Sequence, residues 1–443
     1  MRYNKWNGEN MELDTKDLKT ANELVEDKLM KYKKKKNIEL YKPYKIFSYD
    51  LIFYYAIIYL FLTIQKGLTP AEVLKFDAFY VFFKFLVQIP VTLLIQRIGK
   101  RNSIVFASFI NVIHVLFIIF ANSFPVLLLS QFLCAIGFTI KATCETDMLY
   151  DSIEHGEKRG STFAKIDGKA TSRHYYMEAI SSAISGFLFV INPYFPMILC
   201  FLVLLIVAII STNFEDVQTY TKKDTIKEEY RNIKYSFRDI FRSKRLVSLL
   251  LFNSLMVAMI KIFQNVRNTV LVEIAMPQQY FGVIFAILEI VAGIAAKYQN
   301  KIHDRYRNKT LTFLGYPIAI SFLLLGLLLS LGIDLRISIP IILVLFIIQY
   351  LVRGPYYVII KRYINNFTNG EKRVKIATVN NLIENLIASI LMFGSAFVLD
   401  SLPINITLII VGCVATILVV LLLDRMRHTV GLKMEQYDKK EIL

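Results

Sequence analysis

The chain has 443 residues, 55% hydrophobic and 20% charged, with a formal net charge of +17. A soluble domain of this size breaks its apolar residues into short amphipathic pieces. Here they run in long blocks such as IILVLFIIQYLV (341–352) and ITLIIVGCVATILVVLLL (406–423), which excludes a soluble globular enzyme. The basic residues cluster between those blocks rather than on one surface, so nucleic acid is not the expected partner.

In chain order, residues 1–45 form a basic tail without the apolar core of a cleavable signal. Its KYKKKK run (31–36) reads as a positive-inside anchor, with contact to anionic headgroups as the alternative. Crossing a bilayer takes about 20 mostly apolar residues. Spans of that kind are expected at 46–64, 74–95, 103–121, 125–150, 173–191 and 195–212, an N-terminal six-helix half covering 46–212. A charged central loop follows at 213–245. Spans at 246–271, 280–297, 311–331, 338–360, 376–399 and 405–424 make a C-terminal half, 246–424, and 425–443 is a second tail. The expected fold is an all-α polytopic membrane protein of twelve transmembrane helices in two six-helix halves. Both tails, with the loops on their side and the loop edges, hold 44 of the 52 Lys and Arg residues, against three on the opposite side. That bias predicts both termini in the cytoplasm and a multi-pass protein of the cell membrane. The loops after spans two and eight, QRIGKRNS (96–103) and DRYRNKT (304–310), align Gln96 with Asp304, Arg97 with Arg305 and Arg101 with Lys309, as in repeat-built transporters.

Ionisable groups at membrane depth cost roughly 2.5–3.5 kcal/mol on insertion scales, so they face protein or water and have a use. They are Asp50; Asp77 and Lys84; Lys141, Glu145 and Asp147; Glu178; Lys261 and Arg267; Glu289; Arg353; and Glu384. Spans three, six, nine and twelve have none in their cores, which predicts four peripheral helices around eight that line a cavity. Lys141 and Glu145 stand four apart and can pair. Asn253, Lys261, Gln264 and Asn268 share one face of span seven. Arg353 is expected to bind an anionic group or to pair with Glu289 or Glu384. The candidate substrate and coupling residues are Lys141, Glu145, Lys261, Gln264, Glu289, Arg353 and Glu384, with Glu289 the proton carrier. Glu178 reads as a snorkelling side chain, Asp50 and Asp151 as gate or helix-end residues, and His114 as a satisfied core histidine. Cys134, Cys144, Cys200 and Cys413 lie within spans without metal-ligand spacing and read as small buried apolar residues.

The layout resembles the major facilitator superfamily. Thr92 to Arg101 is similar to that family's G-x-L-A-D-R-x-G-R-R loop: Arg97, Gly99, Lys100 and Arg101 match, while Thr92 replaces the first Gly and Gln96 the Asp that latches the halves together. The resemblance implies a cytoplasmic gate of Gln96, Arg97, Gly99, Lys100, Arg101, Tyr150 and Asp151. A closer resemblance is to a bacterial subgroup of efflux permeases, carried by Gly137, Glu145, Tyr150, Asp151 and Ser152, by GLTPAEVL, and by Arg353, Gly354, Asn366, Arg373, Ala377 and Thr378. Span five, MEAISSAISGFLFVI (177–191), lacks the G-P-x-x-G-G run of many drug–proton antiporters, but Ala179, Ser182, Ala183 and Gly186 permit close helix packing.

Three functions follow as expectations. The first is a proton-coupled exporter of small amphipathic molecules working by alternating access. The second is an importer of a polar or anionic solute, suggested by Lys84, Lys141, Lys261 and Arg353. The third is a membrane sensor that moves nothing. The expected partners are a small-molecule substrate, the lipid bilayer and protons, for a monomer. No cofactor, metal, catalytic constellation or nucleotide loop is expected.

Overall fold

The structure is a computed structural model that describes residues 15–154, 156, 159–217, 226–366 and 372–426. The expected tail from 425 and the central loop therefore lie partly outside the described residues. The described residues form helices and connections, with no strand. The helices are α1 (Thr15–Ser48), α2 (Ile58–Leu60), α3 (Pro70–Ile98), α4 (Lys100–Phe120), α5 (Phe124–Ser152), α6 (Arg159–Ile191) and α7 (Phe195–Thr212). After the central loop come α8 (Ile226–Arg242), α9 (Lys244–Glu273), α10 (Gln279–Lys297), α11 (Gln299–Tyr306), α12 (Thr310–Ser330), α13 (Leu335–Asn366), α14 (Lys372–Ser401) and α15 (Ile404–Met426).

Among the described residues, ten helices are long and apolar enough to cross a membrane. The two other expected spans differ from a plain apolar rod. The span expected at 173–191 is the end of the 33-residue α6, where His174, Glu178, Ser181, Ser182 and Ser185 dilute the apolar character. The span expected at 46–64 is broken. The chain is helical from Thr15 through the presumed tail to Ser48, turns over 49–57 with Phe53 at φ 66°, and resumes as α2 and a π-helical turn, Phe61–Gln65. Asp50 contributes to the break, since its carboxylate accepts a hydrogen bond from the Leu51 amide at 3.0 Å and offers the backbone a local alternative to the helix.

Local chemistry sets the other boundaries. Thr69 begins α3 with a reciprocal capping box: its hydroxyl accepts from the Glu72 amide at 3.2 Å, and the Glu72 carboxylate accepts from the Thr69 amide at 2.8 Å. Pro70 then occupies the first turn, where its missing N–H costs nothing. Gly99, at φ 82°, turns the chain from α3 into α4.

Within the first half α4 packs on α5 and α7, and α3 on α5; within the second, α12 packs on α15 and α13, α10 on α13, and α9 on α14. The two most extensive junctions between the halves are α6 with α10 and α3 with α14. At the first crossing Gly186 and Gly282 have no room for a side chain: a Cβ on Gly186 would strike the Gln279 carbonyl, and one on Gly282 the Ser182 carbonyl. Small residues permit such backbone contact between helices. At the second, Phe79 meets Phe393 edge-to-face at 4.8 Å and Lys75 pairs with Asp400 at 2.9 Å. Both junctions lie where α6 and α14 end and α3 and α10 begin, the end away from the basic loops.

Candidate functional site

Between the halves lies a cavity of about 1160 Å³. Its wall residues come from α1, α2, α3, α5, α6, α9, α10, α13, α14 and the break between α1 and α2. None comes from α4, α7, α12 or α15, the four helices whose span cores lack charge. The cavity opens toward the basic end. There Tyr175, Tyr357, Lys361 and Arg362 are exposed, whereas Val73, Val81 and Met392 close the far end as buried side chains.

Six of the seven candidate substrate and coupling residues reach this wall: Lys141, Glu145, Lys261, Gln264, Glu289 and Arg353. Glu384 does not. It lies behind the wall, accepting from Asn253 Nδ2 at 2.8 Å, while Asn253 Oδ1 accepts from the Tyr356 hydroxyl at 3.1 Å. Of the span-seven face, Lys261, Gln264 and Asn268 look into the cavity and Asn253 turns toward α14. Arg353 pairs with Glu289, Nη1 to Oε1 at 2.5 Å, and not with Glu384. Glu145 pairs with Lys45 at the end of α1, at 3.2 Å, and accepts from Ser48 Oγ at 3.4 Å. That corrects the expected Lys141–Glu145 pair. The Lys141 ammonium turns instead to the Phe138 ring, 4.7 Å from its centroid.

Several wall residues were recorded in the sequence only as intramembrane charges. Asp77 accepts from Gln131 at 3.4 Å. Arg267 is buried, donating to the Tyr350 hydroxyl at 2.5 Å and to Asn268 Oδ1. Lys84 and Lys261 approach the same ring, that of Tyr80, at 5.6 and 6.0 Å. Glu178 does not snorkel. It is buried in the wall with His174 Nε2 at 3.5 Å. Asp50 stands just past the end of α1, as a helix-end residue, and also lines the wall. Lys45 had no signal at all, because the tail was expected to stop there.

The gate motif sits at the basic end. Lys100 bonds Asp151 at 2.7 Å, and Arg101 donates to the carbonyls of Thr212 and Phe214 at 2.7 and 3.0 Å, tying the loop to the end of α7. Arg159 donates to the Tyr150 carbonyl and stacks on its ring at 4.0 Å. Gly99 supplies the turn, Arg97 is exposed, and the Gln96 side-chain oxygen is buried without a partner. The described contacts of Lys100 and Arg101 thus stay within the first half.

Beside this gate the first helix docks. α1 lies against α5, α6 and α7. Asn37 donates to Ser152 Oγ and the Glu215 carbonyl and accepts from the Glu215 amide at 2.8 Å. Tyr41 donates to Asp167 at 2.6 Å. Lys36 bonds Glu215 at 2.6 Å, which holds the Glu215 carboxyl below its usual range and raises the Lys36 ammonium. His114 is buried on α4, with Nδ1 on the Ser130 carbonyl at 2.8 Å and Nε2 unpaired. Cys134, Cys144 and Cys200 are buried as expected, but Cys413 is exposed on α15, which corrects its reading as a buried residue.

The fold is shared with solved transporters. The crystal structure of the nucleoside transporter NupG superposes with a TM-score of 0.69 at 11% identity, covering 92% of this chain and 100% of that one. A POT family transporter in complex with 5-aminolevulinic acid gives 0.64 at 13% identity, covering 88% and 95%. At these identities the likeness concerns the fold alone. No curated protein matches the chain. The family model of the Major Facilitator Superfamily matches residues 46–333, most of the sequence. With ten apolar helices, a cavity between two helix groups and that match, the chain belongs to the major facilitator superfamily of membrane transporters.

Proposed function

We propose that this protein is a proton-coupled secondary transporter that moves a small solute by alternating access, with export as its direction. The observation that carries the reading is the cavity: one polar space between the halves, open toward the basic end and shut at the other by Lys75–Asp400, Phe79–Phe393 and the Gly186–Gly282 crossing. Rocking twelve crossings as two six-helix bodies about this space would open the far end and close the near one. The basic bias supports both termini in the cytoplasm, and on that reading the cavity faces inward here. Glu289 is the proton carrier: protonation would release Arg353 and change which pairs are favourable. Export rests on the resemblance to the efflux subgroup in α5. The gate residues Gln96, Arg97, Gly99, Lys100, Arg101, Tyr150 and Asp151 would close the cytoplasmic end in the opposite state.

The test needs no substrate. In a variant with its four cysteines replaced, Ala142→Cys places one thiol on the wall of α5. A membrane-impermeant maleimide should reach it from either face of oriented vesicles. Labelling from one face only, under every gradient applied, would overturn alternating access and favour a sensor that moves nothing.

A further inference from the structure

We propose that the solute is a small organic anion carrying carboxylate or phosphate charges, held by Lys84, Lys141 and Lys261; this rests on the cavity being the transport site. Among the described residues the wall carries eight Lys and Arg against five Asp and Glu. The acids already have partners. Glu145 is taken by Lys45, Glu289 by Arg353 and Glu178 faces His174, while Asp77 accepts from Gln131 and Asp50 from the Leu51 amide. Arg267 is held by Tyr350 and Asn268.

Lys361 and Arg362 are exposed at the mouth, which leaves three ammonium groups deeper in the wall, Lys84 of α3, Lys141 of α5 and Lys261 of α9, with no carboxylate within 4.0 Å among the described residues. Each rests instead near an aromatic face: Lys141 on Phe138, Lys84 and Lys261 on Tyr80. A ring contact is a weak substitute for a counter-ion. Like charges gathered in one recess repel each other, and a recess with low-dielectric walls concentrates their field on whatever enters. A multivalent anion answers all three at once. The rings of Tyr80, Phe138 and Phe285 in the same wall suit an organic body beside the charged groups, rather than a bare inorganic ion. Lys84 and Lys141 belong to one half and Lys261 to the other, so a bound anion would bridge the two and favour the state that brings them together.

Binding to the purified full chain in detergent tests this at constant ionic strength. The probes are citrate for carboxylates, glucose 6-phosphate for phosphates, glucose as the neutral control and tetraphenylphosphonium as the cationic one. The expected result is a saturable rise of the thermal midpoint by several degrees with one anion class and none with glucose or the cation. Which anion acts separates carboxylate from phosphate. Lys84→Met and Lys261→Met should each weaken that binding at least tenfold, while Lys301→Met, on the exposed α11, should not. Without ligand the first two variants should be as stable as the parent or more so, because each removes an uncompensated charge. Stabilisation by the cation alone, no saturable effect of either anion, parental affinity in both lysine variants, or destabilisation of both in the absence of ligand overturns the proposal. One-sided labelling of Ala142→Cys with anion binding intact would instead sink the transport reading and leave the anion site standing.

Discussion

Arg353 and Glu289 join α13 to α10 through a 2.5 Å contact on the wall of the cavity, directly beside the place where Gly354 lies against the Ala292 carbonyl. The glycine lets the two helices approach, and the approach sets the ion pair. A double-mutant cycle with Arg353→Ala and Glu289→Ala, read by unfolding in detergent, should give a coupling of about 1–3 kcal/mol. The single Arg353→Ala should cost roughly 2 kcal/mol, less than the ~3–5 of a fully buried pair because the cavity admits water. Additive effects would show that the two groups do not share a bond.

The pairing at Glu145 makes a sharper comparison. Lys45 and Glu145 are both nearly inaccessible, at 5% and 7% side-chain exposure. Lys45→Met should therefore cost about 3 kcal/mol by leaving a buried carboxylate alone, and should loosen α1, visible as faster amide exchange over 37–48. Lys141→Met should do neither. Equal losses from the two substitutions would restore the i,i+4 pair that spacing suggests.

The glycine crossing predicts an asymmetry along α10. Gly282→Ala drives a methyl into the backbone of α6 and should lower stability by about 1–3 kcal/mol. Gly293→Ala, on the same helix with nothing within 4 Å, should be neutral or gain up to about 1 kcal/mol. Thermal midpoints of the two variants, measured side by side, decide it.

At the closed end, Lys75→Cys and Asp400→Cys on a background without other cysteines should be bridged by a short bifunctional thiol reagent. Locked in this way, Ala142→Cys should label only from the side of the basic loops, and cleaving the linker should restore labelling from both. Two-sided labelling in the locked protein would show that the far end opens elsewhere.

The dock of α1 has a pH signature. The Glu215 carboxyl is held below its ordinary value of 4.5 by Lys36. A depressed carboxyl contributes its stabilisation fully above the unfolded value and loses it as pH falls through the lower folded one. Amide protection factors over 30–40, taken against the intrinsic exchange rate at each pH, should thus be flat from pH 7 to about 5 and fall below about 4.5, and Glu215→Gln should remove that step. An unchanged step in the variant would assign it to another group.

Much of this architecture was legible from where charge is missing. A lipid-facing helix cannot hold ionisable groups cheaply, so their absence from four helices at regular intervals marked the four that contribute nothing to the wall. The same cost argument gathered Lys141, Glu145, Lys261, Gln264, Glu289 and Arg353 into one space. It failed where partners come from far away in sequence. Helical spacing offered Lys141 to Glu145, but it cannot see Lys45, which arrives on a helix that hydropathy had read as a tail. Glu384 went wrong for a related reason, since its place is set by Asn253 on a neighbouring helix rather than by its own span. The break at Asp50 was hidden because residues 49–57 are almost all apolar or aromatic, and composition does not reveal a backbone that turns.

That break has a mechanical consequence. A continuous rod transmits tilt from one face of the bilayer to the other, whereas a chain interrupted at 49–57 behaves as two levers sharing a pivot. The long arm, α1, is fastened to the first half at Asn37, Tyr41 and Lys45. The short arm, α2 and its π-helical turn, reaches α9 of the second half. The pivot is where Tyr49, Asp50 and Tyr55 meet the cavity. Whatever fills the cavity therefore presses on the joint between an arm fastened to the first half and a short one that touches the second.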